Sequence, residues 1–287
     1  SEEIIMRAIL ILSLTMIFFG SELFAGGHSS TLQDVKARGK LRCVVTTGLP
    51  GFAAPDANGV WRGFDWDFCR ATAAAVFGDA NAVDPITSTG KTRFTKLNAG
   101  EGDVLWRNTT ITFSRDVSVK LRFLGVNYYD GQGFMVNKSL GVKSAKELDG
   151  ASVCIQTGTT TELNLADYFS SNNMSYEAVT IETNDEARQN YEAGRCDIYT
   201  TDASGLASTR SSLPNPGDHM VLPEIISKEP LGPAVRQGDD AWADIITWVL
   251  NATITAEELG VNSANVDKMR NSNNPEIRRM LGTDGSQ

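Results

Sequence analysis

The stretch Ala151-Ser152-Val153-Cys154-Ile155-Gln156-Thr157-Gly158-Thr159-Thr160-Thr161-Glu162-Leu163-Asn164-Leu165 decides the fold. Its first six residues are rich in apolar and β-branched side chains and read as a strand. Thr157-Gly158-Thr159 supplies a turn and a capping hydroxyl, and a helical pattern follows over residues 160–171. A strand that runs straight into a helix is the opening of a βαβ unit, whose strands pair in parallel.

The alternation extends both ways. Upstream, residues 40–46 read as a strand, 65–77 as a helix, 83–87 as a strand, 91–99 as a helix and 103–107 as a strand, and 121–136 as extended. Downstream come strand 177–181, helix 184–193, strand 196–200 and helix 203–210. A strand near 231–235 precedes an amphipathic helix over 239–256 with Trp242, Ile245, Ile246 and Val249 on one face. Two such blocks joined by extended segments predict an α/β protein of two lobes. Open α/β sheets bind ligands beyond the carboxyl ends of their strands. Polar groups follow four predicted strands here: Thr46-Thr47-Gly48, Arg107-Asn108-Thr109-Thr110, Thr157-Gly158-Thr159 and Thr201-Asp202.

Arg107 to Arg115 (Arg-Asn-Thr-Thr-Ile-Thr-Phe-Ser-Arg) sets hydroxyls and an amide between two arginines directly behind a strand. A guanidinium offers a planar fork that matches the two oxygens of a carboxylate, which makes Arg115 a candidate clamp, flanked by Asn108, Thr110 and Thr112. Thr159, Thr160 and Thr161 sit at the mouth of a helix, where free N–H groups welcome an anion or one hydroxyl simply caps. Asp202 reads as a helix N-cap or as the acceptor for an ammonium group. Phe52, in the Gly/Pro-rich loop at 48–52, is either an apolar wall for a ligand or a surface plug. Arg93 and Arg107 are spare cations; turned inward, they favour a ligand with a side-chain carboxylate or amide. An anion clamp with a lone carboxylate opposite it suggests a free amino acid.

The 287-residue chain carries a net charge of −9, which argues against a nucleic-acid partner because no basic stripe neutralises phosphates. Arg7, the apolar run 8–19 and the segment ending at Ala25 read as a secretory signal spanning 6–25, with Met6 as its start. No cysteine follows it to carry a lipid. Export permits disulfides, and the four cysteines allow three pairings. The local pairs Cys43–Cys69 and Cys154–Cys196 are expected, the alternative being buried free thiols. No C-x-x-C or histidine cluster points to a metal, and no cofactor is expected.

At these residues the chain resembles the bacterial extracellular solute-binding proteins of family 3, the polar amino-acid receptors of ABC importers. Its nearest likeness is to the general L-amino-acid and glutamate/glutamine/aspartate/asparagine-binding branch. The resemblance spans about residues 31–285. It rests on Gly48-Leu49-Pro50-Gly51-Phe52, Gly63-Phe64-Asp65, Arg107–Thr110, Tyr128-Tyr129-Asp130-Gly131-Gln132-Gly133-Phe134, Gln156–Leu165 and Ile225-Ile226-Ser227-Lys228-Glu229-Pro230-Leu231-Gly232-Pro233. It implies a type II periplasmic-binding-protein fold, two βαβ lobes joined by a two-strand hinge near Tyr129–Gly131 and Glu224–Ile226. Lobe 1 would take residues 31–130 and 225–287, and lobe 2 residues 131–224, with relatives continuing past the last residue.

The resemblance also implies that Arg115, helped by Thr110 and Thr160, binds an α-carboxylate and that Asp202 binds the α-ammonium. Asn108 would add a contact, Phe52 an aromatic wall, and Arg93 a grip on a distal carboxylate. At Trp106 the chain departs from the family's small residue, a bulk expected to crowd the strand end beside the site. The implied role is a monomeric periplasmic receptor of a Gram-negative bacterium that delivers free L-amino acids to an inner-membrane permease and catalyses nothing. The alternative is an enzyme on the same scaffold, a dehydratase of a small carboxylate, for which Asp202 or Glu162 would have to serve as acid or base without a second carboxylate or histidine nearby in sequence.

Overall fold

The computed structural model describes residues 30–285; the expected leader at 6–25 lies outside them. Helix α1 (Thr31–Arg38) opens on a capping box formed by Ser30 and Gln33 and leads into β1 (Leu41–Thr46). A short hairpin, β2 (Ala54–Pro55) and β3 (Trp61–Arg62), precedes α2 (Phe64–Phe77) and β4 (Val83–Ser88). Then come α3 (Arg93–Asn98), β5 (Val104–Leu105), α4 (Phe113–Val117), β6 (Leu121–Phe123), β7 (Tyr128–Asp130) and β8 (Gln132–Asn137). The second block runs β9 (Ala151–Gln156), α5 (Thr160–Ser171), β10 (Tyr176–Ile181), α6 (Asn184–Glu192), β11 (Ile198–Asp202), α7 (Ala203–Ser211) and β12 (His219–Val221). The chain returns through β13 (Glu229–Leu231) and β14 (Ala234–Arg236) to α8 (Asp240–Glu258).

Two five-stranded sheets result, ordered β4-β1-β5-β14-β6 and β10-β9-β11-β8-β12. In each, the three strands that alternate with helices are parallel, and the strand arriving from a crossover inserts antiparallel beside them. The crossovers pair with each other: β7 and β13 run antiparallel with Asp130 opposite Glu229 and Tyr128 opposite Leu231. Ile226 lies beside the start of β8, donating its N–H to the Gln132 carbonyl at 2.9 Å. The ladder between the lobes therefore runs on past the expected Glu224–Ile226 to Leu231.

Strand β11 reaches two residues beyond the expected 200, which puts Thr201 and Asp202 in the ladder opposite Gly133 and Gln132. Strand β5 is shorter than the expected 103–107, because the chain leaves the ladder after Leu105. Trp106 then turns under α2, fully buried, stacked on Phe68 with ring centroids 4.4 Å apart and donating its indole N–H to Thr72 Oγ1 at 3.0 Å. Its bulk is taken up by the lobe core beside Trp66, Val104 and Trp242. The expected crowding of the site does not occur, because this side chain packs on the helix side of the sheet. Trp242 anchors α8 to the same core and donates to the Asp103 carbonyl at 2.9 Å.

Both local disulfides are formed, Cys43–Cys69 tying β1 to α2 and Cys154–Cys196 tying β9 to the turn before β11. The second closes a span of 42 residues. Removing it by Cys154→Ser with Cys196→Ser is expected to cost about 3–4 kcal/mol through the freed unfolded chain. Urea denaturation measures this, and an unchanged midpoint would show that the bridge contributes nothing.

Candidate functional site

The carboxyl ends of β1, β4, β5, β9 and β11 converge between the lobes, and the intervening turns carry the polar residues. Thr112 caps α4, accepting the Arg115 N–H at 3.3 Å, and this one-turn helix aims Arg115 back over its own loop. The Arg115 Nη1 donates to the Thr110 carbonyl at 2.8 Å. Arg93 enters from α3 and its Nη1 donates to the Asn108 carbonyl at 3.0 Å and Thr109 Oγ1 at 3.1 Å. The ring of Phe94 holds both guanidiniums, with their central carbons 4.8 Å (Arg93) and 5.0 Å (Arg115) from its centroid. Arg93, Arg107 and Arg115 are all buried.

Three buried guanidiniums need compensation. Burial lowers the pKa of Arg107 to about 10, against the pull of Asp65, and that of Arg115 to about 10, against Glu229 and Asp202. Arg93 is lowered as well, by burial first and then by the charges of Arg107 and Arg115. On the acidic side, burial raises Asp65 to about 7 although Arg107 opposes it. Asp202 also rises to about 7, through burial first and then through Asp130 and Glu229, while Arg93 and Arg115 pull it down. Several polar atoms here stay unpartnered: Nε of Arg93, Nε of Arg107 and Oδ1 of Asn108. A buried polar atom without a partner is costly, and a ligand is one way to relieve it.

Asp202 stands at the N-cap of α7 yet makes no cap bond. Asp130, from the crossover strand, does that work: it accepts the Ser204 N–H at 3.4 Å and the Ser204 hydroxyl. The Asp202 carboxylate is thereby left for another partner. Across the cleft, Thr110 Oγ1 and Thr160 Oγ1 lie 3.5 Å apart, one from each lobe.

The residues singled out in the sequence separate into groups. Arg93, Arg107, Asn108, Thr110, Arg115, Thr160 and Asp202 converge on this charged cleft. Thr159 faces its own chain, accepting the Glu162 N–H at 3.4 Å and donating to the Gln156 carbonyl at 2.7 Å. Thr157 donates its backbone N–H to the Ile181 carbonyl at 3.0 Å. Phe52 packs edge-on against Phe64 and the crossover residue Tyr128, at 6.2 and 5.8 Å between centroids. That loop lies so close to α2 that a Cβ at Gly63 would sit 2.4 Å from the Phe52 carbonyl oxygen, and the φ of +122° there suits glycine.

Reading the residues one by one passed over Asp65, Phe94, Asp130 and Glu229. Asp65 and Glu229 are buried in the site, and Asp202 has in space the neighbouring carboxylates that it lacks in sequence. The only signal was indirect, since three of the four fall in the family-like stretches Gly63–Asp65, Tyr128–Phe134 and Ile225–Pro233.

The family model for bacterial extracellular solute-binding proteins, family 3, matches residues 41–262. The chain is 61% identical over 274 residues to the glutamate/glutamine/aspartate/asparagine-binding protein BztA of Rhodobacter capsulatus, covering 93% of this chain and 81% of the relative. It is 59% identical over 269 residues to the general L-amino acid-binding periplasmic protein AapJ of Rhizobium johnstonii, covering 92% and 79%. A solved ABC-transporter periplasmic binding protein from Brucella ovis with glutathione bound superposes with a TM-score of 0.87 at 55% identity, covering 91% of this chain and 82% of that one. By its matched span, its paired sheets and these identities, the chain belongs to the bacterial extracellular solute-binding proteins of family 3, with their two-lobed type II fold.

Proposed function

We propose that this protein is the capture component of an ABC amino-acid importer and binds free L-amino acids, chiefly those with polar, acidic or amide side chains. One observation carries the reading: Arg115 of the first lobe and Asp202 of the second are both buried in one cleft and each feels the other's charge. Arg115 takes the α-carboxylate and Asp202 the α-ammonium, with Thr110 and Thr160 beside them. Arg93, Arg107 and Asn108 face the side chain, where Asp65 offsets part of the positive charge; Phe52 supplies an apolar wall, and Thr157 and Thr159 shape the turn at the mouth. The names of the relatives support this class of ligand.

Hinge closure is the established behaviour of periplasmic binding proteins. Among the described residues lobe 1 comprises 31–130 and 225–285, lobe 2 comprises 131–224, and the β7–β13 ladder is the hinge. A ligand favours the closed form only because it contacts both lobes there. Micromolar affinity requires about 8 kcal/mol. Two charge-assisted anchors at roughly 1.5–3 kcal/mol each, with neutral hydrogen bonds, approach that figure. The protein works as an exported monomer in the periplasm of a Gram-negative bacterium, passes its ligand to a membrane permease, and uses neither a cofactor nor nucleic acid. Among the described residues no helix is long and apolar enough to cross a membrane. The family is one of solute-binding proteins rather than enzymes, so the dehydratase alternative is not retained.

A thermal-shift screen against the twenty amino acids tests the ligand class. Arg115→Ala is expected to abolish amino-acid binding in calorimetry while the protein still melts cooperatively; an unchanged affinity would refute the clamp. The pKa of Asp202 gives a second prediction. Because its folded pKa of about 7 exceeds the ordinary 3.8, the ionised carboxylate penalises the ligand-free fold. That penalty is absent below the unfolded value and complete above the folded one. Asp202→Asn should therefore raise the melting temperature of the ligand-free protein at pH 8 and leave it nearly unchanged at pH 4, while weakening amino acids far more than their des-amino analogues. A lower melting temperature at pH 8 would show that Asp202 stabilises the ligand-free fold.

A further inference from the structure

The lobes also touch away from the charged cleft and the hinge. Asn184, the first residue of α6 in lobe 2, is buried, and its Nδ2 donates to Thr46 Oγ1 at 3.0 Å. Thr46 ends β1 in lobe 1 and is fully buried. From α7 of lobe 2, the Ser208 hydroxyl donates to the Pro50 carbonyl of lobe 1 at 2.6 Å. Neither pair includes a residue assigned above to the ligand.

A third contact is one of shape. The turn after β4 lies against the turn after β9, so a Cβ at Gly90 would sit 2.7 Å from Thr159 Cγ2 and 3.5 Å from the Thr157 carbonyl oxygen. Apart from its chain neighbours, that Cβ would meet no atom of its own lobe within 4 Å. The φ of Gly90 lies outside the left-handed region, so its own backbone does not call for glycine. The other lobe does. Thr159 has little freedom to yield, since its hydroxyl is held between the Gln156 carbonyl and the Glu162 N–H.

Resting on the amino-acid reading above, we propose that Asn184–Thr46, Ser208–Pro50 and the seat of Thr159 on Gly90 form a latch that scales the affinity for every ligand by one common factor, without touching any of them. All three contacts join opposite lobes away from the β7–β13 ladder. Opening separates them while each lobe keeps its own structure. They act on the balance between open and closed forms, and observed affinity follows the population of the form that holds the ligand. Which amino acid is preferred is decided in the cleft. How long any of them is retained is decided at the latch.

The test is calorimetry and stopped-flow dissociation of L-glutamate, L-glutamine, L-aspartate and L-asparagine, with the full chain and with Asn184→Ala and Gly90→Ala. Asn184→Ala is expected to weaken all four about fivefold, as the loss of one buried neutral hydrogen bond implies. Gly90→Ala should weaken them about tenfold, because its methyl overfills the closed contact. In each variant the factor is the same for every ligand and lies in faster dissociation. Losses that differ among the four ligands would show that the altered side chain meets the ligand, and would overturn the proposal. Unchanged affinities, or a loss confined to the association rate, would overturn it too. If Asn184→Ala does not melt cooperatively, the half-buried Ser208→Ala takes its place, with an expected common loss of about threefold. Wild-type protein that binds none of the four removes the amino-acid reading and the latch with it, whereas unequal or unchanged losses beside intact wild-type binding remove the latch alone.

Discussion

The site depends on a substitution of labour between two aspartates. Asp202 ends a strand and begins a helix, the position at which a carboxylate ordinarily satisfies the first free N–H groups. Asp130 reaches in from the crossover and takes that task through Ser204, so the Asp202 side chain is held in place without being used up. The lobe connection and the charged cleft are thus parts of one structure. Where the crossover strand sits determines whether the Asp202 carboxylate is free.

Burying this many charges opposes folding, and the arrangement limits that cost without removing it. Phe94 carries two guanidiniums on its ring, the loop carbonyls of Asn108 and Thr110 take N–H groups from them, and Asp65 stands against Arg107. Even so, Asp65 and Asp202 are raised to about 7. Charges buried in this way oppose folding more than apolar side chains would, and a ligand that pairs with them recovers part of that cost on binding.

Much of the architecture was legible because it is written in local periodicity. Strand–turn–helix units recur with short connections, and each polar strand end follows its strand directly in sequence, so the ends that carry Thr110 and Asp202 could be expected to face one cleft, while the role of Arg115 rested on its polar flanks and on the family resemblance. What escaped belongs to contacts that sequence neighbours do not report. Glu229 has partners 119, 69 and 65 positions away in Thr110, Thr160 and Asn164. Asp65 meets Arg107 across a lobe, and Asp130 reads as an ordinary loop acid until its partner Ser204 is seen. Trp106 misled for a related reason: its position along the strand was clear, but the face to which it turned depended on the space that Phe68 and Thr72 leave beneath α2.

The two sheets are not equivalent as stretches of polypeptide. The second is complete within Gln132–Val221, a continuous run, whereas the first holds β14, from Ala234–Arg236, as an inner strand between β5 and β6. Emerging from synthesis or from a translocation pore amino end first, the chain displays its earliest strands long before the one that joins them has arrived. The middle portion can reach its final form first, while β5 and β6 remain unjoined and the aromatic core beneath them incompletely covered. For this topology the first sheet can be complete only once the carboxyl-terminal segment has returned to place β14 between β5 and β6.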